Sequence, residues 1–352
     1  MDESKLNMSK LASESGHQAA RSGSEKQDYH TESLKLSRMG GVSGDPGETV
    51  SGIRTESRLY QEARRCLTAA FDAARGKRAF SPDPTVAVMK KIVDAGKQET
   101  EALFLTAIHD DYRDDFVVYH SVNTAILAVM IGNQLGITGA GLVKLGSAAL
   151  LHDIGTALVP DDIFLKPSPL TTSEMSQIRQ RPLYSRQILS QLEKPTAYLP
   201  EIAGQVYERL DGSGYPSGLK GADLHAYSLI IGLVDWYEAL VHSRPHRDRI
   251  LHFSAIKEIL RSGKYCFERR HLKALINTVS LFPSLSFVRL NSGAVGRVME
   301  TDPRYPLRPR VKVLYDAQRR PVSSERLVDL RENTLLFIAD AVTLEESGDV
   351  SV

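Results

Sequence analysis

LLHDIG, residues 150–155, decides the fold of this chain, because His152 and Asp153 stand side by side at the end of an apolar run. Adjacent His and Asp offer two metal-ligating groups from consecutive backbone positions. About 60 residues later the chain reads DGSGYP, residues 211–216, where two glycines beside a Tyr-Pro pair are typical of a fixed, tight loop. Together and in this order, the two motifs indicate a metal site in a helical protein.

The composition sets the class of protein. With 352 residues the chain is long enough for a sizeable core and for two folded units. The formal net charge is +1 with both signs mixed, which argues against nucleic acid as a partner. Cys66 and Cys266 lie far apart, without metal-type or redox-type spacing, and this is typical of reduced thiols in a cytosolic protein.

The start of the chain is polar and lacks the apolar stretch of a signal peptide. No run approaches the ~20 apolar residues that are needed to span a bilayer. The sequence therefore predicts a cytoplasmic protein with no membrane partner.

Changes in composition and periodicity divide the chain into four parts. Residues 1–54 are rich in Ser, Gly, Glu and Lys, and we predict a disordered tail there. Residues 55–110 carry helical patterning and could either form a dimer interface or pack on the bundle. Residues 111–280 read as a helical bundle, and residues 281–345 as a small β module. The predicted fold class is mainly α, with short strands expected at 287–290, 295–299, 311–315 and 335–338.

Two further polar residues lie inside strongly apolar helices of the bundle. His120 is in HSVNTAILAV and Asp235 is in VDWYEALVHSRPHR. An unpaired polar side chain is costly in such a place, and a lone buried His or Asp is more often explained by a structural hydrogen bond. Four such residues in the order His, His-Asp, Asp favour a metal site instead.

With these motifs the chain resembles the HD superfamily of metal-dependent phosphohydrolases. More narrowly, it is similar to the HD-GYP domain, the subgroup of bacterial cyclic di-GMP phosphodiesterases. The resemblance covers residues 110–260, and residues 287–316 look like the β extension that often follows this domain. The supporting stretches are HSVNTAILAV, AALLHDIG, FLKPSPLT, DGSGYPSGLKG and VDWYEALVHSRPHR.

The resemblance implies a ligand set and a chemistry. It implies that His120, His152, Asp153 and Asp235 ligate a divalent metal, that Asp153 is catalytic, and that the substrate is cyclic di-GMP or a related nucleotide. The metals of the family promote hydrolysis of a phosphodiester. HD-GYP domains hold two or three metals, and the additional ligands are three histidines.

This sequence departs from the family at those three additional positions. They are occupied by Arg181, Val206 and Tyr207. Valine cannot ligate, and a neutral tyrosine is a poor ligand for Mn²⁺, Fe²⁺ or Mg²⁺. Thr156 and Leu229 also replace the lysine and arginine that are usual in the family. We therefore expect at most one metal among Mn, Fe, Ni and Co, or none.

Two of the arginines allow more than one interpretation. Arg181 could supply a fixed cation for phosphate at a former ligand position, or it could be an exposed arginine in a surface ion pair. Arg244 matches the family, and it could face the substrate or cap the preceding helix.

The loop motif is intact at Asp211, Gly212, Gly214, Tyr215 and Pro216. The resemblance implies that this loop shapes the site and contacts diguanylate-cyclase-type domains. The alternative is a rigid turn retained for folding.

Two functions remain open from the sequence. In the first, the protein is catalytically impaired and acts in cyclic di-GMP signalling by binding a nucleotide or a partner. In the second, it is an active phosphodiesterase that hydrolyses cyclic di-GMP or another nucleotide with a one-metal HD site. The loss of charged and ligating residues, while packing positions stay typical, favours the first.

Overall fold

A computed structural model describes residues 57–109, 115–192, 196–244 and 247–342, apart from the side chains of residues 323–325. The predicted disordered tail, residues 1–54, lies outside the described residues.

Three helices form the N-terminal part: α1 (Arg58–Arg75), α2 (Asp83–Val93) and α3 (Lys97–His109). Helix α1 begins after Ser57, whose hydroxyl accepts a hydrogen bond from the N–H of Tyr60 and so caps the helix. These helices pack on the bundle helices that follow, so of the two interpretations of residues 55–110 the structure has packing on the bundle.

Three buried helices form the centre of the bundle: α4 (Phe116–Gln134), α5 (Ala140–Leu151) and α10 (Ala226–Val241). They contact one another along apolar faces, and their residues are buried on almost every side. Helix α5 ends at LLHDIG and passes into a 3₁₀ turn, Ile154–Leu158. This crossing of three apolar helices is where polar side chains meet.

The remaining helices surround this centre. They are α6 (Asp161–Phe164), α7 (Thr172–Ile178), α8 (Arg181–Leu189), α9 (Tyr198–Gln205), α11 (His252–Ser262) and α12 (Arg269–Val279). Helix α7 begins with a reciprocal capping box formed by Thr171 and Glu174. A short 3₁₀ turn, Gly221–Asp223, follows the glycine-rich loop.

The C-terminal module is a five-stranded antiparallel sheet in the order β4-β3-β2-β1-β5. Its strands are β1 (Phe287–Leu290), β2 (Val295–Glu300), β3 (Arg310–Tyr315), β4 (Pro321–Asp329) and β5 (Ile338–Val342). Val288, Leu290, Val298 and Val311 form its core. The mainly α fold with a small β module is therefore confirmed.

Two details of the sheet differ from the sequence prediction. The strand expected at 335–338 is wrong, because Leu335 is 84% exposed in a turn and the strand begins only at Ile338. Strand β4 was not predicted, since its PVSSERLVD sequence has few apolar residues. It lies at the edge of the sheet, where one side faces solvent and the apolar pattern is weak.

Within the described residues, helix α4 is long and apolar enough to cross a bilayer. However, 78% of its apolar window is buried inside the protein. The sequence expectation that no run approaches spanning length was therefore too strict, and the apolar length of α4 serves the core. The cytoplasmic location stays a prediction.

Candidate metal centre

Three predicted ligands meet where the central helices cross. His120 comes from α4, His152 from the end of α5, and Asp235 from α10. The Nε2 atom of His120 lies 2.9 Å from Oδ1 of Asp235, and Nε2 of His152 lies 3.2 Å from the same oxygen. All three residues are buried. The structure thus brings two imidazoles and one carboxylate onto a common point.

The second nitrogen of each imidazole has a partner that sets its orientation. Nδ1 of His152 lies 2.7 Å from the carbonyl oxygen of Ala149, and a carbonyl can only accept a hydrogen bond. Nδ1 of His120 contacts the Glu238 carboxylate. Both rings therefore carry a hydrogen on Nδ1 and turn Nε2 toward Asp235. Histidines that ligate metals are held in this way in proteins.

The charges around His120 favour its protonated form. Burial by itself lowers the pKa of His120, but the Glu238 carboxylate and the hydrogen bonds to Asp235 and Glu238 outweigh it, and the pKa rises to about 9. Burial alone would raise the pKa of Asp235 and of Glu238. His120 and His152 beside Asp235, and His120 and His242 beside Glu238, outweigh it and hold both pKa values well below the usual range. The centre is thus strongly polar inside an apolar bundle.

These residues fit one divalent metal. Ligand atoms of His120, His152 and Asp235 all lie within 4.8 Å of one another. Two imidazole nitrogens and one carboxylate oxygen suit Zn, Fe, Mn or Co. A metal bound there would act as a Lewis acid toward a phosphate oxygen.

The fourth predicted ligand, Asp153, is engaged by a different group. Nη1 of Arg181 donates to its Oδ2 atom at 2.9 Å. Arg181 is only 3% exposed, and its Nε donates to the carbonyl oxygen of Ile178. Burial lowers the pKa of the Arg181 guanidinium, but the neighbouring Asp153 carboxylate raises it more, so the group stays charged. Interpreting Arg181 as an exposed residue in a surface ion pair is therefore wrong, because its partner is the buried Asp153.

The close approach of Arg181 depends on the glycine of LLHDIG. A Cβ atom on Gly155 would lie 2.2 Å from the carbonyl oxygen of Arg181 and 2.4 Å from the backbone nitrogen of Ser185. The N–H of Gly155 donates to the Ser185 hydroxyl at 2.9 Å. Helix α8 therefore packs directly on the His-Asp turn, and this brings the guanidinium to Asp153.

Tyr207 lines the site beside the carboxylates of Asp153 and Asp235. Its hydroxyl lies 3.4 Å from Oδ1 of Asp153 and 3.3 Å from Oδ1 of Asp235. Burial, more than any neighbour, raises the pKa of Tyr207 well above 10, so the phenol is neutral. Val206 is fully buried and offers no ligand atom. With Arg181 bound to Asp153, these residues do not fit a second metal.

The DGSGYP loop is held beside Tyr207. The ring of Tyr215 stacks on the ring of Tyr207 with centroids 5.1 Å apart. Glu208 accepts hydrogen bonds from the backbone N–H groups of Ser217 and Leu219. Gly214 lies so close to this segment that a Cβ atom would be 2.4 Å from Cα of Glu208. These contacts fix the loop against Tyr207 and Glu208, beside the site.

The other residues of the loop motif make contacts within the loop. Asp211 is exposed, and its Oδ1 atom accepts hydrogen bonds from the backbone N–H and the hydroxyl of Ser213. Gly212 has a φ of 78°, a left-handed conformation that favours glycine. Pro216 follows Tyr215 through a cis peptide bond. These residues shape the loop itself.

Arg244 faces the centre. Its Nη2 atom lies 3.3 Å from Nδ1 of His120 and 4.0 Å from the Glu238 carboxylate. Its guanidinium also lies over the ring of Phe116 at 5.9 Å. Helix α10 is capped by His242 instead, so the capping interpretation of Arg244 is wrong.

Sequence reasoning missed two residues of the centre, Glu238 and Asn123. Nδ2 of Asn123 donates to Oε1 of Glu238 at 3.0 Å, and Glu238 in turn contacts His120. Each follows a predicted ligand by three positions, Asn123 after His120 and Glu238 after Asp235, and so lies on the same face of its helix. That spacing of polar residues in apolar helices was the available signal.

Comparison with known proteins agrees with this geometry. Residues 106–268 match the sequence model of an HD domain, and residues 287–349 match that of a KOW domain associated with HD domains. The fold is similar to Bd1817, an HDG"Y"P protein from Bdellovibrio bacteriovorus, with a TM-score of 0.52 and 16% identity over 70% of this chain and 76% of that chain.

Two curated relatives are cyclic di-GMP phosphodiesterases. PA4108 of Pseudomonas aeruginosa is 28% identical over 278 residues, which are 79% of this chain and 67% of the relative. PdeB of Borreliella burgdorferi is 32% identical over 200 residues, which are 57% of this chain and 52% of the relative. The chain thus spans between half and two thirds of these proteins.

A helical bundle that gathers His, His-Asp and Asp at one crossing defines an HD-domain protein. With its Gly-Tyr-Pro loop and its C-terminal β module, the chain is consistent with the HD-GYP family, and its residues 106–268 match the HD domain.

Proposed function

We propose that this protein acts in cyclic di-GMP signalling by binding a cyclic dinucleotide, with hydrolysis strongly impaired. The nucleotide class comes from the relatives, which are named as phosphodiesterases for cyclic di-GMP and, in Vibrio cholerae, for 3'3'-cGAMP. The impairment comes from the residues of this chain.

The ion pair between Arg181 and Asp153 carries the proposal. Asp153 is one of the four predicted metal ligands, and its Oδ2 atom is committed to a buried guanidinium. A single metal cannot clamp both the attacking and the leaving oxygen of a phosphodiester. Loss of such stabilisation typically costs several kcal/mol of barrier, or several orders of magnitude in rate.

An arginine at position 181 is also suited to a protein that binds phosphate. A guanidinium is always charged and matches the geometry of a phosphate, but it does not activate water as a metal does. Arg181 and Arg244 supply two such cations on either side of the centre, and Arg244 is the more accessible of the two. In this proposal Arg244 contacts a phosphate of the nucleotide, and Arg181 keeps Asp153 neutralised.

A second function, a one-metal phosphohydrolase, is favoured by a separate observation. His120, His152 and Asp235 converge with the nitrogen orientations of metal ligands. These residues would hold one ion, and the neutral Tyr207 hydroxyl would donate a hydrogen bond to a phosphate oxygen. This function requires turnover that depends on the added metal and is lost in Asp235→Ala.

The test is metal content per chain, by elemental analysis after expression with Mn and Fe supplied, with binding and hydrolysis of cyclic di-GMP measured on the same sample. We expect at most one metal, measurable binding, and no turnover above the Asp235→Ala background. Robust hydrolysis would overturn the binding function and establish the one-metal enzyme. Absence of both binding and hydrolysis would reject both functions.

Arg244→Ala tests the phosphate contact within the same assay. We expect it to lower cyclic di-GMP affinity about 10-fold, the order expected for loss of one charge-assisted hydrogen bond. Arg186→Ala is the matched control, because Arg186 is an exposed arginine on α8. Equal affinities for the two variants would contradict the role of Arg244.

The partner prediction concerns the DGSGYP loop. We propose that its exposed residues, Asp211 and Ser213, face a diguanylate-cyclase-type domain. Asp211→Lys should weaken binding to such a domain in a pull-down with purified proteins, while nucleotide affinity stays unchanged. Loss of nucleotide affinity in Asp211→Lys, or unchanged domain binding, would reject the loop as the docking surface.

A further inference from the structure

A chain of buried hydrogen bonds connects the first helix of the structure to the candidate metal centre. The Tyr60 hydroxyl on α1 donates to Oδ1 of Asn123 on α4 at 2.6 Å. Nδ2 of Asn123 donates to Oε1 of Glu238 on α10 at 3.0 Å. The other carboxylate oxygen of Glu238 contacts Nδ1 of His120. We call this chain, Tyr60–Asn123–Glu238–His120, the relay.

The direction of every bond in the relay is fixed by chemistry. The amide oxygen of Asn123 can only accept a hydrogen bond and its nitrogen can only donate one. Asn123 therefore accepts from Tyr60 and donates to Glu238. Glu238 as a carboxylate can only accept, and the hydrogen of the last bond must therefore come from Nδ1 of His120. This leaves Nε2 of His120 directed at Asp235.

The relay is closed to solvent. Tyr60 and Asn123 are each 1% exposed, and Glu238 is 2% exposed. In such surroundings an unmatched polar group is costly, so each member constrains the orientation of the next. If these three side chains only filled the core, nothing would require their chain of hydrogen bonds to lead to His120, a candidate metal ligand.

We infer that Tyr60, Asn123 and Glu238 are positioning residues, through which helix α1 fixes the imidazole of His120 in its ligating orientation. The part of this inference that concerns metal affinity rests on the proposed function. The consequence is that the N-terminal helix belongs to the support of the centre. Any change that withdraws Tyr60 from Asn123 lowers the affinity of the centre for its ion.

The first experiment uses the metal-free full chain, labelled with ¹⁵N-histidine. The Nδ1–H resonance of His120 is assigned by its loss in His120→Gln. We expect Tyr60→Phe, which removes one oxygen atom, and Glu238→Gln to shift this resonance. Tyr237→Phe is the matched control, because Tyr237 is fully buried and its hydroxyl bonds His252 at 2.7 Å, outside the relay.

The second experiment measures Co²⁺ affinity by competition with a chelating dye, together with the visible spectrum of bound Co²⁺. We expect Glu238→Gln to weaken binding about 10- to 100-fold and Tyr60→Phe about 3-fold, with no change in Tyr237→Phe. In the double variant Tyr60→Phe/Glu238→Gln, the Tyr60 substitution should add nothing, because it acts through Glu238.

The outcomes separate the inference from the proposed function. An unshifted His120 resonance in Tyr60→Phe, or a full additional effect of Tyr60→Phe in the Glu238→Gln background, would overturn the relay. A wild-type chain that binds no Co²⁺ but shows the expected resonance shifts would reject the metal site and leave the relay in place.

Discussion

Arg181 sets the charge balance of the centre inside the helical bundle. Two buried carboxylates, Asp153 and Asp235, lie beside the neutral Tyr207, and the guanidinium adds one fixed positive charge. A second cation from solution would have to compete with that charge for Asp153. The side chain of Arg181 therefore fills the space beside Asp153 and, unlike an ion, cannot exchange with solvent.

The first prediction concerns this ion pair. Arg181→Met leaves the Asp153 carboxylate buried without a positively charged partner, and breaking a buried ion pair in this way typically costs about 3–5 kcal/mol. We expect a loss of that size in the free energy of unfolding, measured with urea. Replacing both members, Arg181→Met with Asp153→Leu, should recover most of it, because the double variant leaves no unpaired charge. A double variant as unstable as the single one would contradict this account.

The second prediction concerns pH and His252. Burial, together with His109, His242 and Arg249, holds the pKa of His252 well below its usual range, and its Nδ1 forms a hydrogen bond with the Tyr237 hydroxyl. The unfolded chain binds a proton near pH 6.5 that the folded chain does not, so stability is lost as the pH falls below that value. The loss approaches about 1.4 kcal/mol per pH unit.

His252→Asn removes this titration but keeps a side chain that can form a hydrogen bond with the Tyr237 hydroxyl. Urea unfolding of the metal-free protein at pH 7.5, 6.5 and 5.5 should give a shallower loss of stability for the variant than for the wild type. If the free energy of unfolding depends on pH in the same way in both proteins, the pKa of His252 is not lowered in the folded state.

At the scale of elements, the junction between α5 and α8 determines where the guanidinium lies. The 3₁₀ turn after LLHDIG packs on the start of α8 with no room for a side chain at Gly155. A shift of α8 by the thickness of one methyl group would lengthen the bond between Arg181 and Asp153. The glycine of the motif therefore contributes to the position of Arg181.

The third prediction tests this junction. Gly155→Ala should destabilise the protein by about 2–3 kcal/mol, because the added methyl group meets backbone atoms that cannot rotate away. Gly96→Ala is the control, since nothing lies within 4 Å of a Cβ atom at that position. Thermal unfolding of the two variants should differ by several degrees. Equal thermal unfolding midpoints for the two variants would mean that α8 shifts to accommodate the methyl group without loss of stability.

The central helices could be predicted from the sequence, and the partners of their polar residues could not. Apolar periodicity marks α4, α5 and α10 because they are buried, and the order His, His-Asp, Asp predicts which residues meet. The pairing of Arg181 with Asp153 depends on how closely α8 packs, which no spacing along the chain encodes. Strand β4 escaped prediction for a related reason, since an edge strand needs few apolar residues.

At the scale of the whole molecule, the helical part and the β module share a contact through two aromatic rings. Phe253 at the start of α11 stacks on Phe282, with centroids 5.1 Å apart and planes 13° from parallel. Phe282 belongs to the core of the sheet, together with Val288 and Leu290. Apolar contact of this kind couples the unfolding of the two parts.

The fourth prediction follows from that contact. Trp236, the sole tryptophan of the sequence, lies in α10 and reports on the helical part. Hydrogen exchange of the β2 and β3 amides reports on the sheet. In the wild type both probes should give one transition in urea, as expected of a cooperative unit. Phe253→Ala should destabilise the sheet by about 2 kcal/mol and separate the two transitions, because it removes the ring that joins them.

Phe337→Ala provides the matched control for this experiment. Phe337 belongs to the β module, but its side chain is half exposed and lies outside the core cluster of the sheet. Its removal should leave both transitions together. If Phe253→Ala also leaves them coincident, the coupling does not pass through the aromatic stack. If the wild type already shows two transitions, the β module folds independently, and the HD domain does not depend on it for stability.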